Sequence, residues 1–216
     1  MRTLVIVNAG LGDPSTTRLV ADRIADATVA ALAAAGQDLS VQVVDLRSLA
    51  GDLATFMTTF IPTPALSAAQ ELVTDADAVI AATPVFQGSY SGLFKMFFDT
   101  LEMKSLAGVP VTMVATAGTV RHSMVLDFAV RPLLSFLHAT VLPTGVFAAT
   151  GEFGASSGLS DRIAQAVGEL AGVLLGARGE GPESAGDHHG AEGGHAAAPE
   201  AESDSFTALL ARHSGN

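Results

Sequence analysis

The sequence predicts a doubly wound α/β fold built on a five-stranded parallel sheet. Three observations carry this. Short runs such as Thr3-Leu-Val-Ile-Val7 and Asp77-Ala-Val-Ile-Ala81 are apolar almost without a break, as strands covered on both faces are. Between them lie segments with apolar residues at helical spacing. Each strand-like run ends in a loop rich in Gly, Pro, Ser or Thr, the place where α/β sheets hold ligands.

In order, residues 2–8 read as the first strand. Residues 16–35 read as a helix with Leu19, Val20, Ile24, Ala27 and Ala31 in phase, stopped at Gly36. The second strand is expected at 40–46, followed by an irregular stretch holding Pro62 and Pro64 and a helix at 67–74. The third strand is expected at 77–82, a helix at 92–101, the fourth strand at 109–116, a helix within 123–137 and the fifth strand at 140–147. A closing helix at 159–175 lines up Leu159, Ile163, Val167, Leu170 and Leu174. The first 178 residues form the expected domain. Residues 179–204 are Gly, Ala, Glu, Pro and His, too poor in large apolar groups to offset ordering entropy, and read as a disordered acidic linker. In 205–216, Phe206, Leu209 and Leu210 have helical spacing.

Composition narrows the function. At 216 residues and 49% hydrophobic, the chain has ample material for a core. Seven acids against Arg212 alone follow Arg178, so this segment carries −6 of the −11 net charge and the body −5. Nothing basic recommends a nucleic acid. Cysteine is absent, which removes disulfides, thiolate metal sites and cysteine nucleophiles. No leader-like segment opens the chain, and no apolar run reaches the ~18 residues of a membrane span. A cytoplasmic protein is expected, without membrane or metal.

Three strand-end loops carry the chemistry. In the first, Ser15, Thr16 and Thr17 bring hydroxyls and first-turn amides to a helix start, with Arg18 beside them, an arrangement suited to phosphate. Helix capping by Ser15 or Thr16 is the plainer alternative. The loop is not a dinucleotide fingerprint: Gly10 and Gly12 match two positions, the third falls on Ser15, and Asp45 lies 33 residues past Gly12 where about 20 is usual. In the second loop, Pro84, Val85, Phe86, Gln87, Gly88 and Ser89 combine a fixed φ, an apolar wall and a flexible glycine, so that backbone can curl around a planar group. The third, Ala117, Gly118 and Thr119, brings small residues and a hydroxyl against which a flat ring can lie. His122 reads as a helix-start or packing histidine, and His188, His189 and His195 as solvated spacer. No nucleophile–base pair stands out, so no catalytic side chain is assigned. A phosphate cradle and two ring-sized loops at adjacent strand ends describe an FMN site in a flavodoxin-like sheet of order 2-1-3-4-5, in which the flavin supplies the redox chemistry.

At these residues the chain resembles the NAD(P)H-dependent FMN reductases of flavodoxin-like fold, in the branch that serves alkanesulfonate and methanesulfonate monooxygenases. Ala82-Thr-Pro-Val-Phe-Gln-Gly-Ser-Tyr-Ser-Gly-Leu-Phe-Lys95 is similar to that branch's A-T-P-V-Y-x-x-x-Y-S-G-x-x-K, and Ala115-Thr-Ala-Gly-Thr-Val-Arg-His122 to its A-T-G-G-T-V-x-H. The resemblance covers roughly residues 1–175. It implies NAD(P)H-driven reduction of FMN, transfer of reduced flavin to a separate luciferase-like monooxygenase, and a homodimer or homotetramer. Position by position, it implies that Ser15, Thr16 and Thr17 hold phosphate, that 84–89 wrap flavin and ribityl, and that Gly118 and Thr119 meet the ring's polar edge. Phe86 replaces the commoner Tyr. Phe128 stands where the alkanesulfonate reductases insert a Tyr that shapes a helix bulge at the subunit interface. The alternatives are a flavodoxin-type FMN-binding electron carrier and a quinone or azo reductase on the same scaffold.

Overall fold

In a computed structural model of the chain, residues 1–153 and 158–176 are described; the expected domain end at 178, the linker at 179–204 and the segment 205–216 lie outside them. The strands are β1 (Arg2–Asn8), β2 (Leu39–Asp45), β3 (Ala78–Phe86), β4 (Ser89–Tyr90), β5 (Pro110–Ala117), β6 (Thr140–Val141) and β7 (Val146–Ala149). The helices are α1 (Thr16–Ala34), α2 (Ala50–Thr59), α3 (Pro64–Thr74), α4 (Gly92–Asp99), α5 (Arg131–Phe136) and α6 (Leu159–Gly176). Strands run β2-β1-β3-β5, and both β6 and β7 pair with β5. Every one of these pairings is parallel, which is the expected 2-1-3-4-5 order with the fifth strand in two pieces.

That strand breaks for a local reason. Val111 pairs with Val141 and Val114 with Val146, so five steps on one strand match three on the other. Between the pieces, Pro143 has no amide to donate, and the amide and hydroxyl of Thr144 turn away to Glu169 of α6, at 2.9 and 2.5 Å.

Alternation along β1 divides the core. Leu4 and Ile6 face α1 and α6, while Val5 and Val7 face the layer of α2, α3, α4 and α5. On α4, Phe94, Phe97 and Phe98 are all fully buried or nearly so, while Leu93 and Met96 are half-buried against the same core. Leu19, expected inside, is 44% exposed, and Thr17, Ala21, Ala25 and Thr28 take the buried face of α1 with Val20 and Ile24.

Three elements differ from expectation. The stretch after β2 contains α2, whose one fully buried residue is Leu53. β3 continues through Phe86 and turns into β4, with Val85 paired to Tyr90 and Phe86 to Ser89. Residues Leu126–Val130 form a π-helical turn, closed by the Arg131 amide donating to the Leu126 carbonyl, before α5 begins.

Candidate active site

Register gathers the carboxyl ends of β1, β3, β5 and β7 on one edge: Asn8 pairs with Ala82, Pro84 with Thr116, and Ala117 with Ala149. The loop after β1 is tightly folded. Asn8 Oδ1 accepts from the Gly10 amide at 3.1 Å, and a Cβ on Gly10 would stand 2.0 Å from Ser15 Oγ, so only glycine lets the loop close on the helix start. Ser15 is the N-cap of α1 and its Oγ accepts from the Arg18 amide at 3.1 Å, while its carbonyl accepts from Leu19 at 3.0 Å. The first-turn amides of Thr16 and Thr17 have no intrahelical acceptor, and with the positive helix end they form an anion-attracting corner.

The side chains expected there divide. Thr16 is exposed at the corner. Thr17 is 2% exposed, and its hydroxyl lies 2.7 Å from that of Thr116, which ties α1 to β5 beneath the corner. Arg18 donates through Nε to Asp22 at 2.6 Å. Ser15 therefore caps and Thr17 braces, while Thr16 and the amides face outward.

The second segment is a hairpin, where the sequence suggested an irregular curl. Gln87 and Gly88 have φ of 50° and 79°, the two left-handed positions of a type I′ turn. Thr83 Oγ1 accepts from the Ser91 amide at 3.0 Å, and Ser91 Oγ in turn caps α4 by accepting from Phe94 at 3.3 Å. Phe86 is held at the tip, 48% exposed. After β5, Gly118 is exposed, and Thr119 Oγ1 is buried with no hydrogen-bond partner among the described residues.

These segments enclose a cleft of about 200 Å³. Thr16, Pro84, Val85, Phe86, Ala117 and Gly118 line it together, joined by Thr116, Ala148, Thr150 and Phe153, which sequence reasoning missed. The signal for the last set was a fourth strand end: β7 stops at Ala149 and Thr150-Gly151-Glu152 turns away, with Thr150 Oγ1 donating to the Ala117 carbonyl at 3.4 Å. Glu152 accepts from the Ala149 amide at 2.9 Å and from Arg162 Nη2 at 2.6 Å. That amide, with the guanidinium, holds its carboxyl below the usual range. Its charge is committed to structure. The cleft offers amides, hydroxyls and apolar wall, which can bind and orient a flat anionic molecule but supply no nucleophile or base.

A larger hollow of about 560 Å³ lies by Thr74, Thr100 and Ser105, just before β3 and β5 start, at the opposite edge of the sheet. Its charged lining residues are Glu71 and Glu102, a poor match to phosphate.

The family model described as NADPH-dependent FMN reductase matches residues 1–154. An FMN reductase (NADPH) of Pseudomonas aeruginosa is 36% identical over 82% of this chain and 94% of its own length. The NADH-dependent FMN reductase SfnE of Pseudomonas putida is 35% identical over 81% of this chain and 92% of its own. A crystal structure of an oxidoreductase from Corynebacterium diphtheriae superposes with a TM-score of 0.78 at 50% identity, covering 81% of this chain and 97% of that one. The apo NADH:FMN oxidoreductase EmoB, at 23% identity and a TM-score of 0.70 over 80% of this chain and 90% of that one, shares the fold. With its flavodoxin-like sheet, its strand-end cleft and these relatives across four-fifths of its length, the chain belongs to the NADPH-dependent FMN reductase family and is an NAD(P)H:FMN oxidoreductase.

Proposed function

We propose that this protein binds FMN in the cleft at the ends of β1, β3 and β5, reduces it with NAD(P)H, and supplies the reduced flavin to a separate flavin-dependent monooxygenase. The observation that carries the reading is the convergence of three strand-end loops on one cleft, where Thr16, Pro84, Val85, Phe86, Ala117 and Gly118 line the same space; next to Gly118, the buried Thr119 hydroxyl has no partner among the described residues, a cost that a hydrogen-bonding ligand would offset. The residues fit the flavin in three parts. Thr16 and the amides of α1 take the phosphate, Ser15 and Thr17 hold that corner in shape, and Arg18, paired with Asp22, lies in the same turn. Pro84, Val85 and Phe86 flank ribityl and ring, with Gln87, Gly88 and Ser89 fixing the hairpin that presents them. Ala117, Gly118 and Thr119 meet the polar edge. FMN, when bound, supplies the hydride-accepting chemistry.

Transfer to an oxygenase is favoured by the openness of the site. A cleft of about 200 Å³ is smaller than the ~300–1,000 Å³ of enclosing ligand sites, so part of the flavin stays uncovered and free to exchange. The motif runs at 82–95 and 115–122 and the likeness to SfnE support the monooxygenase-reductase branch. Phe128 and Phe136, 75% and 68% exposed, give a homodimer or homotetramer an apolar surface to cover. Among the described residues no helix is long and apolar enough to cross a membrane.

Steady-state oxidation of NADPH and NADH, with FMN, FAD or a quinone as acceptor, tests the reaction. FMN-dependent turnover is expected; its absence with excess FMN ends the reading, and faster turnover with quinone moves the protein to a quinone reductase. For the transfer step, a luciferase-like monooxygenase should form product when fed by this enzyme and NAD(P)H under air.

A further inference from the structure

Beside the flavin cleft lies a second hollow of about 310 Å³, between Gly88 at the hairpin tip and the turn holding Arg121, His122, Met124 and Phe128. We infer that this hollow receives the adenosine 2′-phosphate end of NADPH, with Arg121 as the residue that makes the enzyme prefer NADPH to NADH. The inference rests on the reductase reading and adds a specificity the family does not decide, since relatives named for NADPH and for NADH match the chain about equally.

Charge is the first argument. Arg121 and His122 are consecutive on a 3₁₀ turn, both exposed, and neither side chain bonds to any group among the described residues. Arg18, Lys95, Arg131 and Arg162 are paired with Asp22, Asp99, Asp127 and Glu152, whereas Arg121 stands unpaired among the described residues in the lining of the hollow. The hollow's lining contains no carboxylate, and the nearest acid in sequence, Asp127, is paired with Arg131 at 3.1 Å. On a body with net charge −5, an uncompensated guanidinium beside the cleft, with an imidazole next to it in sequence, forms a local anion site. A phosphate monoester matches the guanidinium fork.

Shape and position are the second. Met124, Val125 and Ala129 give the hollow an apolar wall that suits an adenine ring. Gly118 in the flavin cleft precedes Arg121 by three residues and Phe86 precedes Gly88 by two, so the two hollows lie within about 11 Å of chain of each other. A dinucleotide whose nicotinamide lies on the flavin has its far end within reach of the second.

Kinetics of Arg121→Ala test this. The expected result is a fall of about tenfold or more in kcat/KM for NADPH, NADH within about twofold of wild type, unchanged FMN affinity by fluorescence quenching, and partial recovery in Arg121→Lys. In parallel, calorimetric titration of the full chain, with and without FMN, should show 2′,5′-ADP binding more tightly than 5′-AMP, with the advantage lost in Arg121→Ala. Equal losses with NADPH and NADH would put Arg121 on the pyrophosphate or in the fold, and no loss would put it on nothing; either overturns the inference, as does equal binding of the two nucleotides. If wild type oxidises neither nicotinamide, the reductase reading falls, while Arg121-dependent binding of 2′,5′-ADP still decides the hollow.

Discussion

Thr17 and Thr116 lie 99 residues apart in the chain, and their hydroxyls meet at 2.7 Å in a buried contact beneath the N-terminus of α1. Thr17 is the second residue of α1, and Thr116 is the next-to-last residue of β5. The bond therefore fixes the start of α1 against the strand whose end leads into Gly118 and Thr119.

Thr17→Val keeps the shape and removes one partner, leaving the Thr116 hydroxyl buried and unsatisfied. Urea denaturation should show a loss of about 1–3 kcal/mol, and Thr17→Val with Thr116→Val should regain much of it. FMN affinity should separate the neighbours: Thr16→Val weakens it several-fold, whereas Thr17→Val stays within about twofold once folded. A larger effect from Thr17 would mean that its hydroxyl leaves Thr116 for the phosphate.

At Thr119 the sign reverses. Its Oγ1 is buried without a partner among the described residues, so Thr119→Val should leave the apo protein as stable or slightly more stable, because an unsatisfied polar group is replaced by a methyl of similar size. The same change should raise the FMN dissociation constant by about fivefold, the worth of one neutral hydrogen bond. Thermal melts with and without FMN read both effects; reduced apo stability with unchanged FMN binding would assign the hydroxyl to the fold.

Gly10→Ala tests the closed first loop. The added Cβ would lie 2.0 Å from Ser15 Oγ, so Ser15 must rotate away and release the Arg18 amide. Losing an N-cap costs about 1 kcal/mol, and opening the loop should also weaken FMN. If Ser15→Ala lowers stability as much as Gly10→Ala does, the cap accounts for the whole loss.

How much of this was readable from the chain depends on burial. Strands covered on both faces are unbroken apolar runs, so the sheet order and three of the loops at its carboxyl edge were legible. α2 was hidden because Gly51 and its threonines argue against a helix; Thr55 and Thr59 instead return their hydroxyls to the carbonyls four residues back, at 2.9 Å each. The hairpin was hidden because Gln87 is an unusual residue for a left-handed turn position, where Asn or Gly is the common signal. Thr17 could have been placed: Thr17, Val20, Ala21, Ile24 and Thr28 keep one helical phase, and that phase is the buried one. The hydroxyls of a loop were visible, but which of them faced inward needed the turn of α1.

Glu152 and Arg162 give the pH prediction. Glu152 accepts from the Ala149 amide and from Arg162, and these hold its carboxyl below the ordinary value of about 4.3. Glu169 shifts the same way: burial pushes it up, but the hydroxyl and amide of Thr144, with Gln165 and the charge of Arg131, together outweigh that. A carboxylate whose pKa is lowered on folding adds stability that is fully present above the unfolded value and disappears as pH falls through the folded one. Neutralising Glu152 should therefore matter at pH 7 and cease to matter in acid. Glu152→Gln is expected to lose about 1 kcal/mol at pH 7, with the gap to wild type closing below about pH 4. Urea titrations of both proteins from pH 7 to pH 3 measure this. A gap that stays constant across the range would show that packing of the side chain, and not its charge, joins the turn after β7 to α6.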